Sequence, residues 1–272
     1  MVNSIGSQNQ LVEIWTNQKC HEDQDQIARE VPVALVYNDI SHVVMMATPT
    51  DLEAFAIGFS LSEKIIKSVG EVYSIEVSEG DLGIEISLKV SNRSFEKLKE
   101  RRRNSIGRTG CGVCGVESLK QIELAHAPVL ANCELSHGAI DAAARLMQNY
   151  QPLQSATGAV HGAAWCDEDG HILKLLEDVG RHNALDKLIG NLALEEKLTQ
   201  QELNMGFALV SSRASYEMVQ KVASVNISVL VAVSAPTNLA INLANKADLT
   251  LVGFARDGRH ICYTNAKRLK SA

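Results

Sequence analysis

Two hydrophobic periods take turns along the chain. "VPVALVYND" and "SHVVMMAT" are short apolar, β-branched runs parted by the turn-forming pair Asn38 and Asp39, and they read as strands. "TPTDLEAFAIGFSLSEKIIKS" then shifts to helical spacing, with Leu52, Phe55, Ala56 and Phe59 on one face. Thr48 stands where a cap would, Pro49 follows it, and Asp51 comes three residues later in the place of a capping-box acid, so the helix is expected to begin at Thr48. "EVYSIEV" and "LGIEISLKV" alternate with period two around "SEGD" and predict a hairpin, after which a charged helix runs from about Ser94 to Arg103.

Beyond that point strands and helices alternate. "LSHGAIDAAARLMQNY" is helical, "GAVHGAAWC" and "HILKLLED" are strands around "DEDG", and "RHNALDKLIGNLALEEKL" is a helix. The strands "GFALVSS", "ISVLVAVS", "LTLVGFA" and "HICYT" follow, with helices through "ASYEMVQKVASV" and "TNLAINLANKA" between them. This is α/β spacing and implies a layered sheet covered by helices. Ligands of such sheets sit where strands end and helices begin, which selects "SSRAS" (Ser211 to Ser215), "SAPTN" (Ser234 to Asn238) and "FARDGR" (Phe254 to Arg259). The expected division is a polar leader at 1–30 with a short strand at "LVEIW", a smaller N-terminal α+β part at 31–104, a mobile cysteine loop at 105–118, and an α/β domain at 119–272 that holds these candidate ligand segments.

Composition narrows the classes. At 272 residues and 46% hydrophobic, the chain can bury the core of one large domain or two unequal ones. A formal net charge of -6 argues against a general nucleic-acid binder and leaves room only for local basic patches. The start "MVNSIGSQNQLVEIW" lacks the pattern of a signal peptide, and no apolar run approaches the roughly 18 residues of a membrane span. A cytoplasmic protein with no membrane partner is expected. Of the cysteines, Cys20, Cys133, Cys166 and Cys262 stand singly, and Cys166 and Cys262 read as buried small side chains.

Cys111 and Cys114 stand apart from these, inside "SIGRTGCGVCGVE". As a zinc site the pair is incomplete, and the nucleobase deaminase signature is absent: Thr109 and Gly110 precede Cys111 without a proline, and no histidine opens an H-x-E before it. No metal is expected. A thioredoxin-like pair would open a helix, for which "GVCG" is poorly suited. A buried structural pair gains nothing from Gly107, Gly110, Gly112 and Gly115. A fourth reading is a thiolate that attacks, or accepts sulfur from, another protein's cysteine, favoured by the field of Arg101, Arg102, Arg103 and Arg108. Those arginines read equally well as the solvated face of a helix or as partners of a phosphate.

"GRTGCGVCG", "EDVGRHNALDK", "SSRASYEMVQK" and "EVPVALVYN", in their order along the chain, resemble the FdhD family of formate dehydrogenase accessory sulfurtransferases. The resemblance implies a cytidine deaminase-like fold without metal chemistry. It implies a protein that takes persulfide sulfur from a cysteine desulfurase and passes it to the molybdenum of bis-molybdopterin guanine dinucleotide, for formate dehydrogenase. Under it Cys111 carries the persulfide, Cys114 assists, and Phe254, Ala255, Arg256, Asp257, Gly258 and Arg259 contact the cofactor, which a guanine nucleotide would partly mimic. A homodimer is implied as well.

Other candidates come from the residues themselves. His182 is placed to exchange a proton, to recognise guanine or to make a structural hydrogen bond, and Arg213 to meet a phosphate. Glu177 and Asp178 are explained as helix caps. Ser211 and Ser212 lack the G-x-S-x-G setting of a hydrolase and suit capping or ligand hydrogen bonds. The competing function is a non-catalytic chaperone that binds and delivers the molybdenum cofactor, its cysteines sensing redox state.

Overall fold

In the computed structural model, residues 6–105, 128–256 and 258–270 are described. Residues 7–28, within the expected polar leader, pair as a hairpin of β1 (Ser7–Thr16), which contains the strand expected at "LVEIW", and β2 (Lys19–Ala28), turning through Asn17 and Gln18 at positive φ. Both faces of this hairpin meet solvent along most of its length, so apolar residues announce only the "LVEIW" part of β1, and nothing in the polar sequence of β2 announces the partner strand.

β3 (Val31–Tyr37), β4 (Ile40–Ala47), β5 (Val72–Gly80) and β6 (Gly83–Val90) form a four-stranded sheet in the order β4-β3-β6-β5. Asn38 and Asp39 make its first turn with φ of 46° and 68°, conformations that Asn and Asp tolerate best among non-glycine residues. The Asn38 side chain also bonds both the N–H and the C=O of Val90, fixing that turn to β6. α1 (Leu52–Ser62) covers one face of the sheet, and α2 (Asn92–Ser105) follows β6. α1 starts at Leu52, not Thr48, and Asp51 gives it no side-chain cap. Thr48 is committed elsewhere: its N–H donates to Asp178 at 3.0 Å, and its hydroxyl accepts from the Val179 N–H.

The second half begins with β7 (Leu135–Ser136), α3 (His137–Leu146) and α4 (Pro152–Thr157). It continues through β8 (His161–Asp167), β9 (Ile172–Asp178), α5 (Arg181–Leu194), α6 (Gln200–Asn204) and β10 (Gly206–Val210). α7 (Tyr216–Ser224), β11 (Val229–Ala232), α8 (Asn238–Lys246), β12 (Thr250–Arg256), β13 (Arg259–Thr264) and β14 (Leu269–Lys270) complete it. Six strands pair in the order β13-β12-β11-β10-β8-β9, with β10, β11 and β12 parallel. Alternation fills both faces: Trp165, Ala208, Val210 and Leu230 join the core under α5, α7 and α8, while Cys166, Phe207, Leu209 and Val231 pack toward α3. The result is the expected α/β class.

The two halves meet where α1 crosses α5, and glycine sets the distance. A Cβ on Gly58 would lie 1.7 Å from the Asp186 carbonyl oxygen, and one on Gly190 would lie 1.8 Å from that of Ala54. Buried charge reinforces this seam. Lys187, fully buried, reaches Asp178 at 2.8 Å and the Thr48 carbonyl at 3.0 Å. Lys221 on α7 reaches Asp186 on α5 at 2.9 Å and Glu63 at 3.0 Å. Burial alone would discharge Lys221, but Asp186 and Glu63 outweigh it and keep the ammonium charged. Removing one partner of such a pair costs about 3–5 kcal/mol, since the other charge is left alone in the core.

Cys166 and Cys133 are fully buried, and burial raises both thiols, Cys133 to about 12. Cys262, expected to be buried too, is only partly so, and its thiol reaches the Thr264 carbonyl at 3.3 Å.

Candidate functional site

The parallel strands β10, β11 and β12 deliver three segments to one edge of the sheet. Those segments are sewn together by the backbone: Ala214 N–H donates to the Ala235 carbonyl, Thr237 N–H to that of Ala214, and Phe254 N–H to that of Ser234. Gly253 permits the approach, because a Cβ there would stand 2.7 Å from the Pro236 ring. Ser211 is tied sideways to β8, its N–H donating to the Gly162 carbonyl and its hydroxyl accepting from the Gly162 N–H.

Beside this edge opens a cavity of about 1090 Å³, just above the roughly 300–1,000 Å³ usual for small-molecule sites. One wall is a stripe of α3 and the turn after it, where Asp141, Arg145 and Gln148 recur at helical spacing and Gln151 follows. The opposite wall carries His161, Ser211, Ala255, Arg256 and Gly258. Gln151 is buried, and its amide nitrogen has no hydrogen-bond partner among the described residues. Gly162 makes room for it, since a Cβ there would lie 2.7 Å from that nitrogen. Arg145 and Arg256 are both exposed and bring positive charge to a chain that is negative as a whole.

The expected residues divide. Ala255, Arg256, Gly258 and Ser211 line the cavity. Phe254 lies at a β-bulge with φ of 54°, strained for a residue with a side chain. Arg259 does not line the cavity, and its guanidinium sits 5.9 Å from the centre of the Phe254 ring. Cys111, Cys114, Arg108 and Asp257 lie outside the described residues.

His182 is not in the wall either. Its Nε2 is 2.7 Å from the Glu217 carboxylate, which it holds below the ordinary glutamate range. With Asp186 and Lys221, His182 and Glu217 form two rungs four residues apart on both helices, so these charged positions of "EDVGRHNALDK" and "SSRASYEMVQK" join α5 to α7. Arg213 is exposed and also outside the wall. Glu177 does cap a helix, but that helix is α4: its carboxylate accepts from the Leu153 and Gln154 N–H groups. Asp178 accepts from the Gly180 N–H, at the start of α5. Among the described residues no three His, Cys, Asp or Glu side chains are grouped to hold a metal ion, and no helix is long and apolar enough to cross a membrane.

Residues 28–270 match the model of the FdhD/NarQ family. The chain belongs to that family. It is 50% identical over 256 residues to the sulfur carrier protein FdhD of Cupriavidus necator, an alignment covering 94% of this chain and 88% of that protein. Its fold is similar to the crystal structure of a formate dehydrogenase accessory protein from Desulfotalea psychrophila, with a TM-score of 0.76 and 26% identity over 97% of this chain and 99% of the other.

The α3 stripe of this family member was missed in sequence because Asp141, Arg145 and Gln148 look like any solvated helix face. His161 carried a signal, a histidine at the start of an otherwise apolar strand, which the search for a zinc signature passed over.

Proposed function

We propose that the chain is a sulfur carrier that takes persulfide sulfur on Cys111 from a cysteine desulfurase and passes it to the molybdenum of bis-molybdopterin guanine dinucleotide, bound as its substrate, on behalf of formate dehydrogenase. Family membership and the likeness to a sulfur carrier support the sulfur chemistry. The observation that supports the ligand most directly is the cavity. Ala255, Arg256 and Gly258, from the segment read in sequence as cofactor-binding, line it opposite Arg145. Two guanidinium groups across a roomy cleft suit phosphates, and Arg can meet one through two parallel hydrogen bonds. The mixed sheet with helices on both faces supports the further reading of a cytidine deaminase-like layered domain. A cytoplasmic homodimer belongs to the same proposal.

In the first step the Cys111 thiolate attacks the terminal sulfur of the donor persulfide. The donor S–S bond breaks, the donor cysteine leaves as thiolate, and Cys111 keeps the persulfide. If the Cys114 thiolate then attacks the Cys111 sulfur, a disulfide forms and the outer sulfur departs as sulfide, its two electrons supplied by the thiols.

The test is to incubate the wild type, Cys111→Ser and Cys114→Ser with a cysteine desulfurase and sulfur-labelled cysteine, and to measure protein-bound sulfur released by reductant. Label is expected on the wild type and Cys114→Ser, and not on Cys111→Ser. Equal label on Cys111→Ser and wild type sinks the carrier assignment and leaves the chaperone, which the cavity would serve equally well.

A further inference from the structure

Three side chains that sequence reading left unused lie in a row at the edge of the cavity. His137 and Asp141 are four residues apart on α3 and so share a face. His260 follows Arg259 on β13, and its side chain is only 9% exposed. Its Nδ1 lies 3.0 Å from the Asp141 carboxylate, and its Nε2 lies 2.7 Å from Nδ1 of His137. The two imidazoles also stack, with centres 4.9 Å apart and planes 19° from parallel. A carboxylate can only accept, which assigns the His260 proton to Nδ1. One hydrogen bond then joins Nε2 to His137 Nδ1, and the facing nitrogens are all paired.

This chain bridges the two walls of the cavity. Asp141 belongs to the α3 wall, and His260 leaves the hairpin whose first strand ends in Arg256. That hairpin is poorly held by its own ladder. Pairing of β12 with β13 is irregular between Gly253 and Arg256, and Phe254 holds a left-handed conformation there. Strain of that kind persists only where outside tethers fix it, and the Phe254 N–H bond to the Ser234 carbonyl is one, on the side away from α3. The Asp141–His260 bond is such a tether, and it joins the hairpin to α3.

We infer that Asp141 and His260, with His137 orienting the imidazole, are positioning residues that set the spacing between Arg145 on α3 and Arg256 on the hairpin, and thereby the fit of the cavity to the phosphates of a guanine nucleotide. The inference rests on the function proposed for the cavity. Neither histidine reacts with the ligand. Each acts through the wall it holds.

Two measurements on the full chain test it, one of them without ligand. In hydrogen–deuterium exchange, amides of the hairpin at 254–261 should exchange faster in Asp141→Leu and His260→Leu. His260→Asn, which keeps a donor where Nδ1 stands, should recover most of the protection. In titrations with GDP, each leucine variant should bind about tenfold more weakly, as loss of a charge-assisted bond implies. The double variant should be no worse than either single one, because both remove the same contact. Wild-type exchange in His260→Leu, no recovery in His260→Asn, or multiplying losses in the double variant would each overturn the inference. A wild type that binds no GDP strikes instead at the reading of the cavity, while the exchange measurement still decides whether the tether exists.

Discussion

Burial first, and then the positive charge of Arg181 and His182, hold His161 below the ordinary histidine value. The sign of the consequence follows from linkage. A histidine whose folded pKa is depressed contributes its full stability above the unfolded value of about 6.5, where both states are neutral. That contribution is lost as pH falls from there through the folded pKa, because the unfolded chain takes up the proton first. Melting temperature measured from pH 8 down to pH 5 should therefore fall more steeply for the wild type than for His161→Gln, which has no proton to gain. Parallel curves would show that His161 titrates alike in both states. The same residue shows what sequence concealed at this scale. His161 and His182 are both histidines at the beginning of an element, yet only the fold tells that the first faces the cavity and the second is bound to Glu217.

Between elements, the α1–α5 crossing carries the clearest expectation. Gly58 and Gly190 oppose each other so closely that a methyl group on either would overlap backbone rather than a side chain able to move. Gly58→Ala and Gly190→Ala should each destabilise the protein by about 1–3 kcal/mol, the usual cost of overpacking, measured by chemical denaturation. An unchanged midpoint in both would mean that the helices can part without penalty. Elements of this kind were legible where one face is buried: the strands of the larger sheet and α5, α7 and α8 lie where the hydrophobic periods put them. Of the β1–β2 hairpin only the strand at "LVEIW" was, because a ladder exposed on both sides needs no apolar alternation. The start of α1 was misplaced for another reason. The cap-like sequence at Thr48 is real, but its hydrogen bonds go to Asp178 and Val179, more than a hundred residues away, and no local rule can see them.

At the scale of the whole molecule, a chain of net charge -6 would have to draw the anionic ligand proposed for it by local means. Sequence pointed to the strand ends, and the cavity does open there, but it could not rank the arginines. Arg256 and Arg259 are three apart in one segment, and only the hairpin separates them, sending Arg256 into the wall and Arg259 over the Phe254 ring. Arg256→Ala should therefore weaken GDP binding by about tenfold, as expected for a charge-assisted contact to phosphate, while Arg259→Ala should cost less than about threefold, the worth of an exposed cation–π contact. Both variants should still accept labelled sulfur on Cys111, since that reaction needs the donor enzyme and no bound nucleotide. The titrations and the sulfur assay belong on the same preparations, with the unfolding midpoint of each variant measured beside them to show that it is folded. Equal damage from the two substitutions would move the phosphate contact out of the cavity and onto the outer face of the hairpin. Loss of sulfur acceptance in Arg256→Ala alone would mean that the cavity and the cysteine pair work as one site, with ligand binding a condition of the first transfer rather than its sequel.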